Sequence, residues 1–92
     1  MEMSQKKDQQ KRSVIERTQT GIRIEKRILK VLKGIAAYHE ISLGDLVEGI
    51  CLHVFEGKVP FNEKSLTKID EIKRVYGLDL TAADSHQLDE VE

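Results

Sequence analysis

One short stretch constrains this chain more than any other. Residues 18–24, Thr-Gln-Thr-Gly-Ile-Arg-Ile, alternate with period two. Thr18, Thr20, Ile22 and Ile24 fall on one face, and Gln19, Gly21 and Arg23 on the other with Arg17. That is the pattern of a half-buried strand. Thr and Ile favour strands, although Gly21 brings no side chain to pack. No second segment of the 92-residue chain repeats the pattern. A lone strand leaves a row of unpaired backbone donors and acceptors. Residues 18–24 therefore either pair with the same segment of a second copy about a twofold axis, or merely prolong an extended arm. The first alternative predicts an obligate homodimer joined by a two-stranded ribbon.

What surrounds the stretch divides the chain in three. Residues 1–16 are polar, nearly free of apolar side chains before Val14 and Ile15, and read as a flexible basic arm. From Lys26 the period changes. Ile28, Leu29, Leu32, Ile35 and Ala36 recur at three- and four-residue steps, the stripe of an amphipathic helix that should stop near His39–Glu40. Glu25 is a weak candidate for its N-cap. A second helix starts at Ser42, with Asp45 placed for a capping box and Ile41 and Leu46 for a hydrophobic staple. Its apolar positions are Leu46, Val47, Ile50, Cys51, Val54 and Phe55, and Gly57 ends it. Gly34 and Gly49 lie inside the two helices, where they could permit close helix approach. Residues 17–57 thus form the expected domain, and residues 58–92 an acidic helical extension. Within the extension Asn62 can cap a third helix, with Phe61 and Leu66 as its staple. Leu66, Ile69, Ile72 and Val75/Tyr76 form its stripe, Gly77 stops it, and Thr81–Asp84 resembles the start of a short fourth helix.

A chain of this size has a marginal core of its own, and this one holds four aromatic residues and no Trp. Cys51 is the single cysteine, so no intrachain disulfide helps, and no Cys/His spacing suggests a zinc site. Oligomerisation is the remaining way to stabilise it. The expected shared dimer core draws on Ile22 and Ile24 from the strand. It adds Ile28, Leu32 and Ile35 from the first helix, and Leu46, Val47, Ile50 and Val54 from the second. No apolar run is long enough to span a bilayer, and no leader of signal-peptide type is seen. A soluble cytoplasmic protein is the expectation.

The net charge of −1 conceals a strong asymmetry. Residues 1–33 carry ten Lys/Arg and four acids, whereas residues 34–92 carry five and twelve. A basic front half points to a polyanionic partner. No nucleophile motif, phosphate loop or paired-carboxylate arrangement is present, so no enzyme, cofactor or metal is expected. Cys51, on an apolar stripe, reads as a buried thiol, and His39, His53 and His86 lack ligand spacing.

The order of strand, immediate amphipathic helix, tight connection and Ser-capped second helix resembles the ribbon-helix-helix family of Arc/MetJ/CopG type over residues 18 to about 57. Gln19-Thr-Gly21-Ile-Arg23 is similar to the Gln-x-Asn-x-Arg reading strand of Arc-like repressors. Gly21 stands at the Asn position, and Glu40 stands where members often have Gly. The resemblance implies a mainly α fold with one N-terminal strand paired across a dimer and the ribbon inserted in the major groove of double-stranded DNA. Gln19, Gly21 and Arg23 would face base edges, Arg as a bidentate donor to guanine and Gln as a partner of adenine. Free amides around Ser42, Leu43 and Gly44 would hold a phosphate, and Lys11, Arg12, Arg17, Lys26 and Arg27 would add sequence-blind attraction. Two functions follow. One is a sequence-specific repressor, for example an antitoxin repressing its own operon or a plasmid-partition centromere binder. The other is an adaptor that dimerises through the ribbon and docks a protein partner through residues 62–92. The third helix needs a surface for its stripe, either its own dimer, on the side away from the ribbon, or that partner.

Overall fold

The computed structural model of the chain describes residues 12–91. Within them the protein is all-α, with helices α1 (Lys26–His39), α2 (Leu43–Phe55) and α3 (Glu63–Tyr76) and a single 3-10 turn at Ala82–Asp84. There is no strand among the described residues, and residues 12–25 have no regular structure. The expected ribbon-helix-helix fold with an N-terminal strand is therefore corrected to a small three-helix protein. The physical reason lies in what periodicity encodes. Alternation sorts side chains between two faces, but a strand exists only through its ladder of hydrogen bonds. Among the described residues no segment offers residues 18–24 a ladder. The backbone bonding begins with the Leu29 amide donating to the Glu25 carbonyl at 3.1 Å, already the first turn of α1. Residues 18–24 stand as an irregular segment ahead of α1.

The helix boundaries follow local chemistry. Glu25 caps α1, its carboxylate accepting from the Ile28 amide at 2.9 Å. Ser42 caps α2 by accepting from the Asp45 amide at 3.1 Å. The reciprocal half of the expected capping box is not made, because the Asp45 carboxylate lies instead 3.6 Å from Arg17. Asn62 caps α3 by accepting from the Ser65 amide at 2.8 Å. Gly57 and Gly77 follow α2 and α3 at φ +73° and +65°, a left-handed conformation that glycine adopts without a Cβ penalty. Thr81 and Asp84 form a reciprocal capping box around the 3-10 turn.

α1 ends by the same device with the wrong residue for it. Glu40 sits at φ 60°, ψ 42°, so that the Ile41 amide can reach back to the Ala36 carbonyl at 3.0 Å. A side chain in this region is strained by about 1 kcal/mol or more. Replacing Glu40 by Gly should raise the unfolding free energy by about 1 kcal/mol, measurable as a higher urea midpoint at unchanged slope.

The core is small. Val31, Ile35 and Ala36 of α1 and Leu46 of α2 are buried, with Leu32, Ile41, Ile50, Phe61, Ile69, Ile72 and Leu78 packed around them. α1 lies against both other helices. Gly34 sets the approach of α3, since a Cβ built there would stand 3.0 Å from Cγ2 of Ile72. The acidic extension thus packs on its own chain, through Ile69 and Ile72. Of the expected core residues, Ile35 and Leu46 are buried and Ile28, Leu32 and Ile50 half-buried, while Ile22, Ile24, Val47 and Val54 are exposed in the single chain.

Candidate nucleic-acid interface

The site is built on residues 12–27: residues 12–24 are exposed and without regular structure, Glu25 is half-buried, and Lys26 and Arg27 open α1. This part of the chain holds Arg12, Arg17, Arg23, Lys26 and Arg27 against Glu16 and Glu25. Gln19, Gly21 and Arg23 are all exposed, and nothing lies within 4 Å of where a Gly21 side chain would begin. That leaves the backbone at Gly21 open to close approach.

The extended segment is attached to the helices at a few charged points. Arg17 forks onto Glu48 of α2, its Nε and Nη2 donating to the two carboxylate oxygens at 2.8 and 2.9 Å. This hydrogen-bonded pairing holds the Glu48 carboxyl below the ordinary carboxylate range, the direct bond outweighing the opposing effect of desolvation. It also places the arm beside the first turns of α2. There the amides of Leu43 and Gly44 make no hydrogen bond among the described residues, as expected of the first turn of a helix. Ser42 and Gly44 are exposed and Leu43 is half-buried. The Asp45 carboxylate in the same turn opposes an approaching anion, and its proximity to Arg17 offsets part of that repulsion.

Arg27 is more heavily engaged. Its Nε donates to Glu25 at 2.9 Å, and its Nη1 donates to the Gly77 carbonyl and to Asp79, each at 3.1 Å. The Arg27 hydrogen bond, with the Ile28 amide next, pulls the Glu25 carboxyl below the usual range. Arg23 donates from Nε and Nη2 to the carboxylate of Glu90. Arg12 and Lys26 are exposed and form no ion pair among the described residues. Lys11 lies outside the described residues. The structure thus gathers Arg17 to α2 and Arg27 to the turn after α3, and leaves Gln19, Gly21 and Arg23 between those anchors. Reading along the sequence missed the carboxylates that meet these arginines, because Glu90 is 67 residues from Arg23 and Asp79 is 52 from Arg27. The residues that meet these arginines from the C-terminal end, Gly77, Asp79 and Glu90, all lie after α3.

Elsewhere, two chemically capable groups have structural surroundings. His39 lies between Tyr38 and Phe61, stacked on Phe61 at 6.3 Å between ring centroids. Its Nε2 is buried without a partner among the described residues, and desolvation pushes the imidazole below its usual pKa, favouring the neutral ring. Cys51 is a half-buried free thiol. No three His, Cys, Asp or Glu side chains cluster to hold a metal among the described residues, and no helix among them is long and apolar enough to cross a membrane.

A second feature accompanies the basic segment. α2 carries more apolar surface than the core covers. Leu46 and Ile50 pack into the core. Val47 and Val54, which flank Ile50 on the helix surface, and Phe55 at the C-terminal end are all exposed, Phe55 by 78%. Ile22 of the extended segment is equally exposed. Comparison with known protein families, curated proteins and solved structures finds no match for this chain.

Proposed function

We propose that the protein is a homodimeric, sequence-specific binder of double-stranded DNA, a cytoplasmic transcriptional repressor of the class that includes autoregulating antitoxins, acting without catalysis or cofactor. The observation that carries this reading is the exposed, irregular, arginine-bearing segment over residues 12–24, continued by Lys26 and Arg27 at the start of α1 and held beside the N-terminus of α2 by Arg17. A strongly basic exposed segment is the electrostatic footprint of a nucleic-acid binder. An extended chain is narrow enough to enter a DNA groove, where Arg23 and Gln19 carry the donors that distinguish guanine and adenine edges. Gly21 between them lets the backbone come close. Arg12, Lys26, Arg27 and the free amides of Leu43 and Gly44 are suited to phosphates. No paired ribbon enters this reading.

Dimerisation is supported by the apolar side chains that α2 leaves exposed, Val47, Val54 and Phe55. Among the described residues only four apolar residues are buried, and exposed apolar surface on so small a protein suits association. The adaptor function finds less support, because Ile69 and Ile72 of the α3 stripe are already packed on α1.

The test is selection of bound duplexes from a random DNA pool with the full chain. Enrichment should converge on one motif repeated with twofold symmetry. Arg23→Ala should relax the preference at one base position per half-site by about 1–3 kcal/mol. A pool that stays random after repeated rounds, with the protein folded, would refute sequence-specific binding.

A further inference from the structure

We propose that the acidic C-terminal segment, residues 79–92, is a built-in competitor of DNA that occupies Arg23 and Arg27 when no nucleic acid is bound; this rests on the DNA-binding reading above. The segment carries Asp79, Asp84, Asp89, Glu90 and Glu92 and no Lys or Arg. Its two observed contacts fall on arginines assigned to DNA. Glu90 receives both Nε and Nη2 of Arg23, the fork-on-carboxylate geometry that an arginine also offers to a phosphate or a guanine edge. Asp79 receives Nη1 of Arg27 at 3.1 Å.

The position of the segment does not depend on these ion pairs alone. Leu80 and Leu88 line an apolar groove with Ile28 and Val31 of α1 and Ile69 of α3. The Thr81 capping box fixes the turn between the two leucines. Leu80 is half-buried there and Leu88 half-exposed, and the covalent link to α3 keeps the carboxylates at high local concentration beside the arginines. The Arg23–Glu90 pair is solvent-exposed, Arg23 by 83% and Glu90 by 62%, so it is weak and exchangeable; Arg27 is less exposed and also holds Glu25 and the Gly77 carbonyl. A duplex that offers several phosphates and a matching base edge displaces the tail carboxylates, whereas a single stray anion does not. The device lowers affinity for every sequence and so keeps weak, non-specific binding below threshold.

The experiment compares the full chain with Asp79→Asn/Glu90→Gln and with a charge-matched control, Asp70→Asn/Glu71→Gln, whose carboxylates face Arg74 and Lys68 on α3. At low salt the tail variant should bind duplex DNA about five- to tenfold more tightly and the control no more than about twofold, the gap closing as salt screens the competition. Equal gains in both variants would reduce the effect to net charge and overturn the inference. So would no gain in the tail variant when the wild type binds. If none of the three proteins binds DNA, the DNA reading fails, and the inference falls with it. The contact has its own readout without DNA: the Arg23 Nε–H NMR resonance should move on Glu90→Gln. An unmoved resonance overturns the inference whatever the binding data show.

Discussion

Leu46→Ala should largely unfold the protein. Among the described residues Leu46 is the one side chain with no solvent exposure at all, and it joins α2 to the cluster formed by Val31, Ile35 and Ala36 of α1. Truncation removes several buried carbon atoms and leaves a cavity that neighbours on two helices cannot close without moving. Substitutions of this kind lose about 3–5 kcal/mol. Small domains have about 5–15 kcal/mol in total, and this one, with so few buried apolar residues, belongs at the lower end. The expected result is loss of helical circular dichroism at temperatures where the wild type is folded, or a urea midpoint moved close to zero. A variant melting within a few degrees of the wild type would show that the α1–α2 contact is not the centre of the core.

Val47→Glu/Val54→Glu should separate the dimer into monomers. Both residues flank the half-buried Ile50 on the surface of α2, three positions before it and four after, and both are exposed in the single chain. In the monomer a glutamate there meets water and is tolerated. In a dimer joined through this face, four carboxylates would be buried or brought close together, and unpaired buried charge is among the most damaging changes to an interface. The dissociation constant should rise by at least about a hundredfold, roughly 2.7 kcal/mol or more. Sedimentation equilibrium at micromolar protein should show a dimer for the wild type and a monomer for the variant. A wild type that stays monomeric and folded at those concentrations would remove the α2 face from the account.

What could be read from the sequence was largely what neighbouring residues decide. Ser42, Asn62, Gly57 and Gly77 bound the helices where their side chains or their freedom at positive φ suggest, because capping is settled within one turn. Val31 is buried although the expected stripe passes over it; three residues after Ile28 and four before Ile35, it shares their face. The left-handed Glu40 was visible only as a residue standing where glycine is usual. Residues 18–24 show the limit most clearly. Their alternation is real, but a ladder partner is not encoded in alternation, and the described chain supplies none. Likewise the arginines of the candidate interface were legible from composition. The carboxylates of Glu48, Asp79 and Glu90 that meet them were not, because those pairings are created by the packing of α2 and α3 rather than by any local pattern.

The central claim is that an exposed arginine-rich arm binds double-stranded DNA, and its most direct test is a fluorescence anisotropy titration of a labelled duplex at several salt concentrations. The account predicts saturable binding at low salt. The logarithm of the binding constant should fall linearly with the logarithm of salt concentration, by about 0.9 for each phosphate neutralised. In Arg12→Ala that slope should be shallower by about one for each arm in contact, two for a symmetric dimer, with the fold intact. Absence of binding to any duplex at about 50 mM salt, where counterion release strongly favours a basic segment, or a salt slope near zero, would contradict it.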